Sequence, residues 1–393
     1  MSITISGTVA DGFDQVAAAF ESAFAGKPDM GAALAIRHRG ELVVDLWGGI
    51  ADERSHAAWG ENTPSVIFSC TKGLVSVLAA RLVQEGRLDY YEPVATYWPE
   101  FAVAGKENVR VKDLLAHRSG VSAPREGLTS SGITDWDAVV ATLAAQEPLW
   151  EPDSGYAYHA ITHGWLIGEV IRRITGMSVG AYFAELVTRP LHVDAWIGLP
   201  AGVHQRVAHM QVGSTLAELT AQQAAARTPG VTDWGELAMT LGGALAPELI
   251  GPGESDGFND PIIQSAEIPG AGGIATARAL ATIWSATVVA TEGVRLIDEA
   301  VIAEATVPQS EGPPVWDVPG PWPRWGMGLQ LDSEARRFLT PDSFGHDGAG
   351  GQSAFADAGS QVGFAFLTNQ MEAIGDVRAT GIIDALRRSL GVG

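Results

Sequence analysis

Apolar positions recur along the chain with two periods, and the change from one to the other outlines the fold. Between residues 11 and 24, Phe13, Val16, Ala17, Phe20 and Phe24 keep helical spacing, and Gly26-Lys27-Pro28 ends that helix. Two strands are predicted next, over 32–38 and 41–47, joined through Arg39-Gly40 as an antiparallel hairpin. The short apolar run Val66-Ile67-Phe68 then gives way to a run from Lys72 to Val83 with leucines and valines on nearly every side. That pattern describes a buried central helix, which Gly86 stops. A loop follows over 97–105, and a short helix over 111–117 is closed by Ser119-Gly120. Helical spacing continues over 135–145, 160–174, 179–187 and 214–225, returns at 277–289, and ends in a closing helix from about 376 to 390.

The pattern weakens between 201 and 261, where Gly251-Pro252-Gly253 and Phe258-Asn259-Asp260-Pro261 mark loops; this stretch is either a cover over a site or a surface excursion. The glycines of Pro269-Gly270-Ala271-Gly272-Gly273 match no phosphate-cradling motif and point to tight packing at a helix start. A Pro/Trp-rich loop runs over 313–325, and strands return at 326–331, 343–346, 353–357 and 362–367. Strands at both ends of a helical middle imply an α+β chain with one antiparallel sheet built from both termini. The domain division expected is a discontinuous α/β domain, 1–75 with 270–393, and a mainly helical domain, 76–269, that carries the covering segment.

Composition narrows the function classes. With 393 residues, 46% hydrophobic and 18% charged, the chain is of the soluble globular kind. A formal net charge of −21 argues against nucleic acid or an anionic membrane as partner, since both would be repelled. No apolar run approaches the roughly 18 residues of a membrane span. One cysteine cannot form an intrachain disulfide, and the first seven residues have neither a basic nor an apolar leader region, so a cytoplasmic protein is expected. Oligomeric state is not legible.

Candidate chemistry sits where the 66–68 run meets the central helix, at Ser69-Cys70-Thr71-Lys72. Residues i and i+3 share a helix face, so the Lys72 amine can reach the Ser69 hydroxyl. This is the S-x-x-K arrangement of a serine nucleophile beside a proton acceptor. A plain N-cap is the competing explanation for Ser69, but a capping box wants Glu or Gln where Lys72 stands. A cation there opposes the helix dipole by about 0.3 to 1 kcal/mol, and burial would push the lysine toward its neutral form. Cys70 points off that face and reads as a packed thiol.

Two further segments complete a pattern: Tyr156-Ala157-Tyr158-His159-Ala160 and Gly345-His346-Asp347-Gly348-Ala349-Gly350-Gly351. Taken alone, Tyr158 would be a half-buried core tyrosine. In order and spacing the three segments resemble the serine β-lactamase and penicillin-binding protein superfamily, most closely the class C β-lactamase-like group that contains the family VIII carboxylesterases. The stretches Val111-Lys112-Asp113-Leu114-Leu115-Ala116-His117-Arg118-Ser119-Gly120 and 158–169 support the resemblance, which spans about residues 30 to 390. It implies a β-lactamase/transpeptidase-like fold and an acyl-enzyme on Ser69, with Lys72 and Tyr158 in proton transfer and no cofactor or metal. Between the Tyr158 phenolate and Lys72, the identity of the general base stays open. By the same resemblance, Ala349 and Ser69 offer the N–H groups of an oxyanion hole, and His346, Asp347, Gly348 and Ala160 are substrate-binding positions.

Two departures from the resemblance matter. The β-lactamase motif carries Asn where Ala160 stands, and Lys-Thr-Gly where His346-Asp347-Gly348 stands. Both remove groups that recognise β-lactams, while ester hydrolysis needs only nucleophile, base and oxyanion hole. A serine carboxylesterase acting on small esters is therefore the expectation, with neutral esters preferred over anionic ones. His346 should be largely neutral at pH 8, and Asp347 either adds negative charge to the cleft or points away from it. The alternatives within the enzyme class are β-lactamase or DD-peptidase-like activity and acyl transfer; outside it, a non-catalytic binding or sensor module. No G-x-S-x-G stands in the chain, which disfavours an α/β-hydrolase. The i, i+4 pair His159 and His163 lacks the rest of a zinc motif and reads as helix-face histidines.

Overall fold

The computed structural model describes residues 3–129, 131–251, 256–373 and 375–392. Its centre is a nine-stranded sheet in the order Ile5–Val9, Glu41–Asp52, Gly31–His38, Val362–Thr368, Gln352–Asp357, Ser343–Gly348, Gln330–Leu331, Arg324–Trp325, with Ala57–Ala58 paired to Glu41–Asp52. Every neighbouring pair is antiparallel. The seam between the two ends of the chain lies mid-sheet, where Val362–Thr368 runs beside Gly31–His38 from Val362↔His38 to Thr368↔Ala32.

Strand alternation decides what each face of the sheet meets. Leu34, Ile36, Val44, Leu46, Phe355, Phe364 and Phe366 point to one side, where the helices Asp14–Ser22 and Arg378–Leu390 cover them. Ala33, Ala35, Ala354, Ala356 and Ala365 point to the other, toward the helix Ala277–Val288. Small side chains are required there: a Cβ on Gly363 would sit 2.2 Å from the Ala281 carbonyl oxygen. This second face is also the one against which the helix Cys70–Gln84 packs, and twelve of its fifteen residues are buried, which explains its apolar residues on all sides.

The helices Val111–Leu115, Trp136–Ala145, Thr162–Thr175 and Val179–Phe183 fill the middle of the chain, Thr162–Thr175 lying directly on Cys70–Gln84. Within 201–261 the helix Ser214–Ala226 buries none of its residues, yet the same stretch sends Phe258 under the nucleophile's neighbour Phe68, ring centroids 5.5 Å apart. Pro252 and Gly253, expected in a loop, lie outside the described residues.

Some boundaries differ from the sequence reading. The helix expected from residue 160 begins only at Thr162, with residues 160–161 in a turn before it. The strand expected over 326–331 is split into Arg324–Trp325 and Gln330–Leu331 by a turn in which Gly328 has φ +75°. The glycines at 270–273 do pack tightly, but they lead first into a short strand, Gly273–Ala275, before Thr276 caps the helix. Ile5–Val9, Trp234–Met239 and Glu299–Ala305 form elements that were not anticipated. Each is short, five to seven residues, too few turns or alternations to establish a period.

Candidate active site

The nucleophile stands where a two-residue strand turns into a helix. Ser65–Val66 pairs with Gly273–Ala275, the Ile67 N–H donates to the Gly273 carbonyl at 2.9 Å, and the chain then bends through Phe68 with φ +43°. A bulky residue in that left-handed region costs about 1–3 kcal/mol and persists only if its surroundings enforce it. Here they do: the Phe68 ring is fully buried against Phe258, and its carbonyl accepts the Thr71 hydroxyl at 2.5 Å. The bend leaves Ser69 half-exposed at the first helical turn, with no capping hydrogen bond from its side chain.

Lys72 is fully buried one turn on. Its Nζ lies 3.0 Å from Ser69 Oγ, donates to the Gly270 carbonyl at 2.6 Å, and donates to the Ala160 carbonyl as well. Burial holds its pKa well below the ordinary lysine value, and among the described residues no carboxylate pairs with it to offset that. A neutral amine has two N–H donors and one lone pair. With both donors on backbone carbonyls, the lone pair is left for the Ser69 proton.

Tyr158 reaches Ser69 from the irregular segment before Thr162, its hydroxyl donating to Ser69 Oγ at 2.9 Å. Its ring lies under Lys72 Nζ, 5.0 Å from the centroid, stacks on Trp325 at 5.2 Å and 13°, and meets the edge of His117 at 4.9 Å. Burial is the largest influence on the phenol and raises its pKa, so Tyr158 rests protonated. Cys70 is buried, gives its thiol to the His346 carbonyl at 3.1 Å, and is held well above the usual thiol pKa by burial, which leaves it inert as a nucleophile.

The Ser343–Gly348 strand passes alongside. His346 and Gly348 face the nucleophile's helix: the His346 Cβ lies 3.5 Å from a Cβ built on Gly73, and one built on Gly348 would meet the Ile67 carbonyl at 2.5 Å and Cys70 Sγ at 3.3 Å. Ala349 follows in the turn, and among the described residues neither its N–H nor that of Ser69 is engaged in a hydrogen bond. Asp347, one residue out of phase, points to the opposite face and pairs with Arg336, which also donates to Thr380 at 3.2 Å. Of the two placements expected for Asp347, the structure takes the one that turns the side chain away from the nucleophile's helix, as strand alternation allows. Ala160 contributes its carbonyl, on Lys72, and its side chain is buried.

His346 is 2% exposed, and its Nδ1 lies 2.7 Å from the Asp347 carbonyl, so that nitrogen carries the proton. Burial, then the nearby Lys72, pushes its pKa down to about 3, well below the ordinary imidazole value of 6.5. His117, His159 and His163 are also buried and neutral, lowered chiefly by burial. His159 and His163 do not form the helix-face pair expected. His159 lies before the helix, spanning the Ala157 carbonyl and Ser119 Oγ, while His163 packs 5.0 Å from His117.

Trp325, His117 and Gly270 were not singled out from sequence. Trp325 was hidden in a loop reading, and His117 lay inside a recognised segment with no role attached. Gly270 acts through its carbonyl, which leaves no mark on residue type.

A family model described as Beta-lactamase matches residues 20–387. The chain is 32% identical over 366 residues to the Esterase/beta-lactamase LipL of Mycobacterium tuberculosis, covering 91% of this chain and 81% of that one. Among solved structures, a family VIII carboxylesterase superposes with a TM-score of 0.82 at 36% identity, covering 98% of this chain and all of the other. A penicillin-binding protein homologue from Caulobacter crescentus reaches a TM-score of 0.85 at 35% identity, with the same coverage. With the family model spanning nearly the whole chain and relatives above 30% identity along it, this protein belongs to the Beta-lactamase family, in its serine-reactive, esterase-like part.

Proposed function

We propose that the protein is a serine carboxylesterase that cleaves small esters through an acyl-enzyme on Ser69. The observation that carries this reading is the Tyr158–Ser69–Lys72 hydrogen-bonded line, in which the serine oxygen accepts from the Tyr158 hydroxyl on one side and lies 3.0 Å from the Lys72 amine, held by burial toward its neutral form, on the other. The esterase and carboxylesterase names of the relatives support the same reaction.

In this reading Lys72 takes the Ser69 proton as Oγ attacks the ester carbonyl carbon. The oxyanion that forms is met by the N–H groups of Ser69 and Ala349, both free of other hydrogen bonds among the described residues. As the tetrahedral intermediate collapses, Tyr158 gives its proton to the departing alkoxide and recovers one from Lys72. Water then enters and attacks the acyl carbon as Lys72 takes its proton; the second tetrahedral intermediate expels Ser69 Oγ, which takes that proton back from Lys72, releasing the acid and restoring both groups. His346, Gly348 and Ala160 line the approach, and Asp347 acts only in holding the strand. No helix among the described residues is long and apolar enough to cross a membrane. The net charge speaks against nucleic acid, and the single buried cysteine fits a cytoplasmic setting.

Replacing Ser69 with Ala should abolish turnover of a short-chain 4-nitrophenyl ester and its mass-detectable acyl adduct, while Cys70→Ala keeps both. A folded Cys70→Ala protein that is dead beside an active Ser69→Ala protein would move the nucleophile to the thiol.

A further inference from the structure

The turn that carries Ala349 is gripped from behind by a buried ion pair. Between the strands Ser343–Gly348 and Gln352–Asp357, Gly350 has φ +83° and Gly351 has φ +102°. The turn is packed as closely as it is bent. A Cβ on Gly350 would come within 2.7 Å of Met371, and one on Gly351 within 1.8 Å of Asp376 Oδ2 and 2.6 Å of Arg378 Nη2. Arg378 and Asp376 pair at 2.6 Å with side chains only 5% and 9% exposed.

The guanidinium spends its remaining donors on backbone and strand ends. Nη2 donates to the Gly350 carbonyl at 2.7 Å and to the Gln370 carbonyl at 3.0 Å, and Nη1 to Thr368 Oγ1 at 3.3 Å. The Glu372 N–H adds a second donor to the Gly350 carbonyl at 3.3 Å. Ala349 thus lies between two fixed neighbours: Gly348, seated against Ile67 and Cys70 of the nucleophile's own segment, and Gly350, held by Arg378.

We propose that Arg378 is a positioning residue that aims the Ala349 N–H at the oxyanion. It has no hydrogen bond to Ser69, Lys72 or Tyr158 and acts only through the backbone of the turn. Burying a guanidinium is costly unless its donors are met, and here they go to the turn, to the strand ends beside it, to Asp376 and, from Nη1, to Met30 Sδ at 3.0 Å. An oxyanion donor contributes most when its direction is fixed before reaction, because no reorganisation is then needed as charge develops. This inference rests on the reading of Ala349 as an oxyanion donor.

The test compares an aryl ester with its thionoester, whose developing thiolate makes poorer hydrogen bonds, in wild type and in Arg378→Met. For wild type the ester should turn over much faster than the thionoester. In a folded Arg378→Met protein, kcat for the ester should fall by about 10- to 100-fold, a part of the 10²–10³ that one whole oxyanion donor carries, with KM changed less than about threefold. The ester/thionoester ratio should shrink in parallel, and added guanidinium ion should restore part of kcat. Should Arg378→Met not fold, Asp376→Asn frees the guanidinium from its carboxylate and should move the ratio the same way by a smaller factor. A wild-type ratio near one overturns the oxyanion-hole reading itself. A large wild-type ratio that stays unchanged in whichever folded variant is measured overturns the role of Arg378 alone.

Discussion

Burial is the largest influence on the protonation of Lys72, Tyr158 and the histidines around Ser69, and its directions support Lys72 as the proposed base. It lowers the Lys72 ammonium well below an ordinary lysine and raises the Tyr158 phenol, so the amine gives up its proton at lower pH than usual while the phenol keeps its own to higher pH. The sign follows: kcat/KM should climb as pH rises through the depressed Lys72 pKa and then level off. A profile flat between about pH 8 and about pH 10 fits this assignment, because an ordinary lysine would still be titrating there and a phenolate base later still. Tyr158→Phe should cost at least about 10² in kcat as a proton donor is lost, without moving the acid limb. A wild-type profile still rising tenfold per unit at pH 10 would return the base role to Tyr158. The same logic governs β-lactams. His346 stands where a lysine would face their carboxylate, and with a pKa near 3 it offers no charge at any working pH. Cephalosporin kcat/KM should fall at least about tenfold below that of a short ester, the factor carried by about 1.4 kcal/mol of missing charge recognition.

At the scale of elements, the site depends on how closely two backbones approach. The Thr162–Thr175 helix meets the 269–270 segment with no side chain between: a Cβ on Gly164 would lie 1.9 Å from the Gly270 N. Since the Gly270 carbonyl accepts from Lys72, Gly164→Ala must push away one of the groups that orients the amine. The expected outcome is a loss of about 1–3 kcal/mol in stability by urea denaturation, from overpacking, together with a drop in kcat larger than that in the remote control Gly381→Ala, whose Cβ meets open space. Ser69 and Lys72 were legible as a candidate pair because the proposed chemistry puts two particular side chains at a fixed i, i+3 offset, whereas Tyr158 read alone as a core tyrosine and entered only through the family resemblance. The sequence announced the central helix and the sheet from both termini because burial on all sides and strict alternation leave strong periodic signals. Gly270 and Ala160 were unreadable as lysine acceptors, since any residue has a carbonyl. Trp325 was unreadable because a two-residue strand between a proline-rich loop and a glycine turn has no period to detect. The charge state of His346 required knowing how deeply it is buried.

At the scale of the molecule, charge acts from a distance instead of at the site. The local groups cancel or are neutral: Asp347 is paired with Arg336, His346 is uncharged, and Lys72 is held toward its neutral amine. What remains is the net charge of −21 on the chain as a whole, which creates a negative potential that an anionic substrate must cross before it binds. A preference for neutral esters should therefore be a long-range effect and follow the Debye length, about 30 Å at 0.01 M salt and about 3 Å at 1 M. The measurement is kcat/KM for a neutral acyl ester and for an analogue of equal length ending in carboxylate, at both salt concentrations and pH 8. The neutral/anionic ratio should be largest at low salt and shrink several-fold at high salt, mainly through the anionic substrate's kcat/KM. Asp347→Asn should leave the ratio unchanged, since that carboxylate already has a cation and faces the other side of the sheet. A ratio independent of salt but collapsed by Asp347→Asn would mean that the discriminating charge sits in the cleft after all, and that the strand presents Asp347 to substrate.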